Sequence, residues 1–511
     1  MANIPLLLGI DIGGTAVKVA LFDATGHLLG AHNVAVQPHA PRPGWFEIDP
    51  ADWQRAARDG VAATLAAARA RGGDVAAIGL SNMIGTITPL DRDGRPLRHA
   101  IAYYDTRSAA EAEWMLDRAP AIPTVTANRV LPGNTSLTSI LWLRRHEPEV
   151  YARAASFAPT NTFIYRWLTG ATGIDWTNAN FVGVYDVATR DWSADLAARL
   201  DVDLDLLGLV LAPDTTAPLE ASAASALGLA PGTPVAIGGL DGAMSSVGAG
   251  AIHAGDAYDV CGTSEMIAVC LDRPVVAPEL LGRWHVVPGL WTLIGAMTTS
   301  GAALQWLRDR LFAPLPAGND AKAASNLYDA MTAEAGASPA GANGVTFLPH
   351  LAGERAPWWD PHAKGVFFGL TLGTTRGDMT RAVMEGAAYA MRHLIELAEE
   401  YGGTPIRRIT TLGGGAAHNP LWRQIRADVW NAELVTSPVP EATALGAALT
   451  AGVGAGLYAD YAEAVERAVP AEGEVTPPNP AHRGAYEHGY AVYRRLYPAL
   501  METMRLAAGN D

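Results

Sequence analysis

Four short segments of the 511-residue chain bring acidic, hydroxyl or amide side chains next to glycine. The first is Asp11-Ile12-Gly13-Gly14-Thr15, with Lys18 close behind. Glycines between two apolar runs free backbone N–H groups to converge on one point, a nest for an anion. Thr15 adds a hydroxyl donor. Asp11, at a strand end beside that nest, suits Mg²⁺, which takes one or two carboxylates plus phosphate oxygens; an ordinary Gly-Gly hairpin turn is the alternative. The second segment, Gly262-Thr263-Ser264, reads as a further nest after a strand. Paired with the first, it suggests two loops gripping a polyphosphate from opposite sides of a cleft. In the third, Gly238-Gly239-Leu240-Asp241, the acid stands at the mouth of the apolar run Val235-Ala236-Ile237. A carboxylate there either accepts a proton from a hydroxyl or caps the following helix. The fourth is Gly413-Gly414-Gly415-Ala416 with Asn419 and Gln424. Three glycines let a flat ring approach the backbone, and the two amides can bond its edge; a plain strand-to-helix turn is the alternative. Two nests, a magnesium carboxylate, a base and a shelf for a purine are together the parts of an ATP-dependent phosphotransferase.

These segments need strands that end in turns. Leu6–Ile12, Val17–Phe22 and His27–Gly30 read as a β-meander. A helix is predicted over Pro50–Arg71, with Asp49 as N-cap, Pro50 at its first position and Gly72 just past its end. Val75–Leu80 reads as a buried strand. Continuing alternation argues an α/β layer architecture. Near residue 255 the chain restarts: Ala257–Val260, a Gly-Thr turn, then Met266–Leu271 echo the opening hairpin. The stretch Ala313–Asn343, rich in Ala, Pro, Gly and Asn, reads as an irregular excursion. Asp378–Tyr401 carries an apolar stripe at helical spacing and is closed by Gly402-Gly403. Ile406–Leu412 reads as a strand, and helices are expected over Asn419–Trp430, Glu441–Ala451 and Ala481–Leu506.

Composition narrows the classes. The chain exceeds the 250–300 residues or so that one core supports. Hydrophobic residues are 49% and charged residues 17%, which is globular and argues against disorder. Lys plus Arg is 37 against 52 Asp plus Glu, a net charge of −15, so a general nucleic-acid or anionic-membrane partner is not expected. Two cysteines, Cys261 and Cys270, exclude a disulfide framework and a structural zinc site. The opening residues lack the basic flank of a signal peptide, and no long uncharged apolar run suggests a membrane span. A cytoplasmic location follows as an expectation.

The segment Gly353-Glu354-Arg355-Ala356-Pro357 through Lys364-Gly365-Val366-Phe367-Phe368-Gly369-Leu370 carries a resemblance. With Asp378-Met379 and Arg381-Ala382-Val383-Met384-Glu385-Gly386 it resembles the FGGY carbohydrate kinases of the actin, Hsp70 and hexokinase superfamily, the xylulokinase branch above all. The resemblance runs from Leu7 to about Gly456. It implies two ribonuclease-H-like α/β domains, here 1–248 and 249–511, with ATP and sugar in the cleft between them. It implies that Asp11, Gly13, Gly14, Thr15 and Lys18 belong to the first phosphate motif, and Gly262, Thr263 and Ser264 to the second. Asp241 falls at the catalytic base, and Gly414, Gly415, Ala416, Asn419 and Gln424 in the adenosine motif. ATP and Mg²⁺ are the implied cofactors, a small sugar or polyol the partner; the oligomeric state stays open, a homodimer included.

Departures from the family concern the sugar. Xylulokinases carry Gln-Met-His-Gly after the strand at Ala76–Leu80; the register taken here sets Met83-Ile84-Gly85-Thr86 against it, with no histidine. Gly242 follows the base where Asn or Gln is usual, and Ser139 stands three residues before Trp142 where the family has Lys. Met83, Ile84, Gly85, Asp105 and Asp241 are the expected sugar contacts, with Asp105 equally able to form a structural ion pair with Arg107. Trp45 and Glu47 are expected to pack. D-Xylulose giving the 5-phosphate is the first substrate expectation. Gluconate, a tetritol, glycerol, another ketose, or a sugar-free ATPase of the actin or Hsp70 type are the alternatives. A sugar-sensing transcription factor would need a basic helix-turn-helix, which the sequence lacks.

Overall fold

The computed structural model describes residues 4–312, 321–471 and 473–509. Contacts divide the chain into two units. The first comprises Met1–Ala254, Cys270–Thr292 and Val439–Ala471; the second, Gly255–Val269, Leu293–Pro438 and Glu472–Asp511. A linear division at 248/249 does not anticipate the two later segments that rejoin the first unit. Their return has a physical cause. The helix Ala442–Gly454 is apolar on nearly every face, so it needs burial all round. It packs on the helix Asp241–Gly248 and on the strands Leu6–Ile12 and Val75–Asn82.

The sheet of the first unit has the order Leu28–Ala35, Ala16–Asp23, Leu6–Ile12, Val75–Asn82, Pro234–Leu240, Thr216–Pro218. The first three strands form the expected antiparallel meander, whereas Leu6–Ile12, Val75–Asn82 and Pro234–Leu240 run parallel. Side chains alternate across a strand. Leu8, Ile10 and Ile12 enter one core with Trp53 and Val61 of the helix Pro50–Ala68; Leu7, Ala20 and Phe22 enter the other, with Leu445 and Ala448. The helix Pro50–Ala68 stops short of the predicted Arg71. Asp49 caps it by accepting from the Ala51 N–H at 3.0 Å, but Arg69, not a glycine, adopts the left-handed closing conformation.

The second unit repeats this plan. Its strands run Trp291–Met297, Glu265–Leu271, Ala257–Cys261, Arg408–Gly413, Glu433–Thr436, Glu474–Thr476. Ala257–Cys261 and Glu265–Leu271 form an antiparallel hairpin, the next two pairings are parallel and the last is antiparallel, the same sequence of orientations as in the first unit. The short echo near residue 255 is thus the visible end of a duplicated sheet. The helix Arg376–Gly402 starts on a capping box between Thr375 and Asp378 and ends at Gly403. The expectation of an irregular stretch over Ala313–Asn343 is corrected: residues 313–320 lie outside the described residues, and Ala321–Ala337 is helical. Its alanines favour a helix, and the helix packs on Arg376–Gly402. Among the described residues no helix is long and apolar enough to cross a membrane.

Glycine sets how closely Ala442–Gly454 approaches the sheet. A Cβ on Gly9 would lie 2.0 Å from the Ala444 carbonyl oxygen, and one on Gly79 would lie 1.8 Å from that of Ala447. Gly79→Ala must push helix and strand apart. It should cost about 1–3 kcal/mol, the usual penalty of overpacking, read as a lower urea midpoint; an unchanged midpoint would contradict this packing.

Candidate active site

Parallel strands that end level with one another bring the two key acids of the first unit together. In register, Asp11 of Leu6–Ile12 pairs with Ser81 of Val75–Asn82, and Ser81 pairs in turn with Gly239 of Pro234–Leu240. Asp241, two residues beyond Gly239, opens the helix Asp241–Gly248. Burial and the neighbouring Asp241 carboxylate push the Asp11 pKa up to about 6. The Ser81 hydroxyl, donating to Asp11 Oδ1 at 2.9 Å, and Lys18 act in the opposite sense, and Glu441 adds a further upward push. Asp241 keeps solvent-accessible surface although protein crowds it on most sides. That crowding raises its pKa too, against the Gly242 N–H at 2.6 Å and the Arg283 guanidinium, which both favour the charged form. Asp241 is not the helix N-cap, which is Leu240. A carboxylate whose pKa is raised accepts a proton more readily than a free one.

The first Gly-Gly turn is a hairpin whose Gly13 N–H donates to the Ala16 carbonyl at 2.9 Å, so Gly13 does not aim its N–H at an anion. Thr15 is exposed at the tip. Lys18 faces Asp11 across the hairpin and is ion-paired to Glu441 at 2.8 Å. No group of three or more His, Cys, Asp or Glu among the described residues is placed to hold a metal ion. Asp11 nevertheless fits magnesium: it is a carboxylate in an excess of negative charge that a cation would offset.

Two expected sugar contacts are corrected. Asp105 is fully buried; its Oδ1 accepts from the Arg107 N–H and Nε at 2.9 Å each, and its Oδ2 from Arg107 Nη2 at 2.8 Å and the Phe46 N–H at 2.5 Å. Arg107 also bonds Glu47 at 2.8 Å and lies 3.9 Å from the centre of the Trp45 ring. Asp105 is therefore the structural ion pair, and Trp45 and Glu47 pack as expected. Gly85 is buried at φ 67°, with the Asn134 and Gly133 carbonyl oxygens 2.6 and 2.7 Å from where a Cβ would stand. It occupies the position that requires glycine. With Gly85 set against the glycine of Gln-Met-His-Gly, the register would move by one and half-buried Ile84 would stand in the place of the histidine. Met83 is buried beside Gly14.

In the second unit a cavity of about 500 Å³ brings two of the sequence segments together. Gly262 and Thr263 line one wall; Gly414, Gly415 and Asn419 line another. A Cβ on Gly414 or Gly415 would meet nothing within 4 Å, so protein packing does not demand glycine there and a bound molecule would have that space. Ser264 is exposed beside the wall, and the side chain of Ala416 lies outside the described residues. Asn419 lines the cavity, but its side chain caps the Trp422 N–H at 3.0 Å and donates to Thr332 at 3.0 Å. Gln424 is corrected: it donates to Asp428 at 2.7 Å and to the Pro477 carbonyl at 3.0 Å, away from this cavity. One and a half helical turns past Asn419, it faces the other way. The sequence reading missed Gly301, Gln305, Tyr328 and His418 on the cavity wall. It also missed Arg283, whose guanidinium nitrogens lie 3.1 and 3.2 Å from where a Gly242 Cβ would stand.

Asp11 carries a linkage consequence. Its folded pKa is raised, so folding favours the protonated form, and that contribution is lost as pH rises from the ordinary value near 4 through about 6. Asp11→Asn mimics the protonated side chain. Its urea midpoint should match wild type near pH 4 and exceed it near pH 8; the same difference at both pH values would contradict the burial of Asp11.

Comparison with known proteins agrees with this arrangement. The model of the N-terminal domain of the FGGY family of carbohydrate kinases matches residues 6–248, and that of the C-terminal domain matches residues 257–455. The xylulose kinase of Escherichia coli (strain K12) is 32% identical over 508 residues, 98% of this chain and 100% of that protein. The crystal structure of xylulose kinase from Rhodospirillum rubrum superposes with a TM-score of 0.87 at 29% identity, covering 98% of this chain and 100% of that one. That of gluconate kinase from Lactobacillus acidophilus gives 0.89 at 25% identity, covering 97% and 98%. The two duplicated sheets are the actin- and hexokinase-like fold of these enzymes, and the chain belongs to the FGGY family of carbohydrate kinases.

Proposed function

We propose that the protein transfers the γ-phosphoryl group of ATP to a hydroxyl of a small sugar, with D-xylulose, giving the 5-phosphate, as the acceptor the relatives support best. The observation that carries the proposal is the meeting of Asp11 and Asp241 at the ends of parallel strands, each with a raised pKa. In this reading Asp241 accepts the proton of the attacking hydroxyl as the O–P bond forms and ADP leaves. Magnesium bound at Asp11 would neutralise charge on the phosphate oxygens. The cavity lined by Gly262, Thr263, Gly414 and Gly415 takes the nucleotide. In the first unit Gly14 and Thr15 are the candidates for phosphate contact, and the hydrogen-bonding demand on Gly13 leaves its N–H out of that role.

A second acceptor class has its own observation. Arg283 places a guanidinium beside Gly242 and influences Asp241. That cation is buried, so its field beside Asp241 is what would favour an acceptor with a carboxylate; gluconate, which the Lactobacillus acidophilus enzyme is named for, is such an acceptor. A panel of ketoses, polyols and sugar acids assayed by coupled ADP release separates the two. The highest kcat/KM on D-xylulose supports the first reading; the highest on D-gluconate, lost in Arg283→Met, supports the second. No stimulation by any member would overturn both.

Two variants sharpen the test. Asp241→Asn should lower kcat by about 10²–10⁴-fold, the range for losing a general base, while ADP affinity stays near that of wild type; full activity would place the base elsewhere. Ile84→His should fold and raise kcat/KM for D-xylulose by about 2- to 10-fold, one added hydrogen bond. Gly85→His should yield little folded protein. The reverse pattern would restore the original loop register.

A further inference from the structure

Beneath the second-unit cavity lies a fully buried charged cluster that the proposed chemistry does not use. Asp259, Glu265 and Arg426 are each 2% exposed or less. Arg426 Nη2 bonds Glu265 Oε1 at 2.7 Å and also bonds Asp259 Oδ2. Thr411 Oγ1 donates to that Asp259 oxygen at 3.2 Å, and the Ser300 hydroxyl donates to Glu265 Oε2. Two buried carboxylates served by one guanidinium cost more in desolvation than a packed apolar group would. Their retention therefore calls for a task.

The placement of the cluster supplies one. Each member sits a few residues from a segment of the cavity wall. Asp259 precedes Gly262 and Glu265 follows Thr263; Thr411 precedes Gly414, Arg426 follows Trp422, and Ser300 precedes Gly301. The Ser300 and Ala302 N–H groups donate to the Thr263 carbonyl at 3.0 and 3.1 Å, and the Gly301 N–H donates to that of Gly262 at 3.0 Å. The contact at Gly301 is close enough that a Cβ there would stand 2.5 Å from the Gly262 oxygen. The Gly262-Thr263 loop thus hangs on the 300–302 backbone, Ser300 is tied to Glu265, and Glu265 is tied to the helix Pro420–Trp430 that begins on the opposite wall.

We propose that Glu265 and Arg426, acting through Ser300, are positioning residues that hold the Gly262-Thr263 wall of the cavity in register with its Gly414–Trp422 wall, and so set nucleotide affinity. The inference rests on the reading of this cavity as the nucleotide site. None of the three residues needs to touch the ligand. Their effect belongs to ATP and ADP and not to the acceptor, because the segments they hold, Gly262-Thr263 and Gly414–Trp422, line this cavity.

Ser300→Ala removes one hydroxyl and leaves the carboxylates paired with Arg426. In the full-length chain it should weaken ADP binding, measured by calorimetry, and raise KM for ATP, each by about 3- to 30-fold. KM for the acceptor should stay at the wild-type value, and Tm should fall by no more than a few degrees. Glu265→Gln, which keeps one acceptor oxygen and puts an amide NH2 in place of the other, should fall between wild type and Ser300→Ala. Unchanged ADP affinity in both variants would overturn the proposal. So would a parallel loss of ATP and acceptor affinity, or unfolding of both variants, since either describes a scaffold and not a positioning device. Wild-type protein that does not bind ADP at all would instead remove the reading of the cavity, a result separate from the variants' behaviour.

Discussion

The first unit depends on three parallel strands that end at the same level. Adjacent strands lie about 4.8 Å apart, so acids at the ends of the first and third strands face one another across the middle one. Ser81 lies in register with both Asp11 and Gly239 and donates to the nearer acid. Neither carboxylate is neutralised by a dedicated partner: Lys18 is shared with Glu441, and Arg283 acts on Asp241 from the side of Gly242. The outcome is an excess of negative charge in a crowded place. Such an arrangement is unfavourable for folding and useful for holding a cation and taking a proton, and strain of this kind is concentrated where proteins do chemistry.

A buried polar web beneath the acids holds the strand ends in place. Asp175 is fully buried and accepts from Asn161 Nδ2 at 2.9 Å, Asn178 Nδ2 at 2.7 Å and the Thr177 N–H at 2.9 Å. Thr177 Oγ1 in turn accepts from the Leu240 N–H at 3.0 Å, immediately before Asp241. Asn82 and Asn178 exchange amide bonds at 3.0 and 3.2 Å, and Asn82 also donates to the Met83 carbonyl. The loop at 83–85 and the start of the helix at Asp241 are therefore held by one network. Buried polar groups that are fully paired make a local structure unique. The buried cluster of the second unit, Arg426 with Asp259 and Glu265, is charged instead, and Asp259 Oδ1 and Arg426 Nε and Nη1 are left without a hydrogen bond among the described residues.

Much of this was legible in the chain. Alternating apolar residues gave away the meander and both buried faces of the central strands, and Asp49 and Asn419 announced helix starts because capping is a local interaction; the cap at Thr375, three residues before the expected start at Asp378, was not read. The Gly-Thr hairpin at 262 betrayed a duplication whose remaining strands carry no common motif. What stayed hidden was non-local. Whether Asp105 serves a ligand or Arg107 depends on Trp45, Glu47 and Phe46, some 60 residues earlier. Gln424 lies in the right segment but on the wrong face of its helix. Arg283 sits in an unremarkable strand, and only the empty position at Gly242 explains its approach. The helix Ala321–Ala337 was obscured by the glycine and proline around it. The loop register at 83–85 needed a backbone angle, which residue types alone do not supply.

A kinase of this family delivers a phosphoryl group to a sugar hydroxyl and not to water. Incubation of the purified protein with γ-labelled ATP, magnesium and D-xylulose or D-gluconate, followed by mass spectrometry and ³¹P spectroscopy of the products, tests it directly. A sugar phosphomonoester should form in step with ADP, with little inorganic phosphate. Label released only as inorganic phosphate, at a rate indifferent to either acceptor, would contradict it.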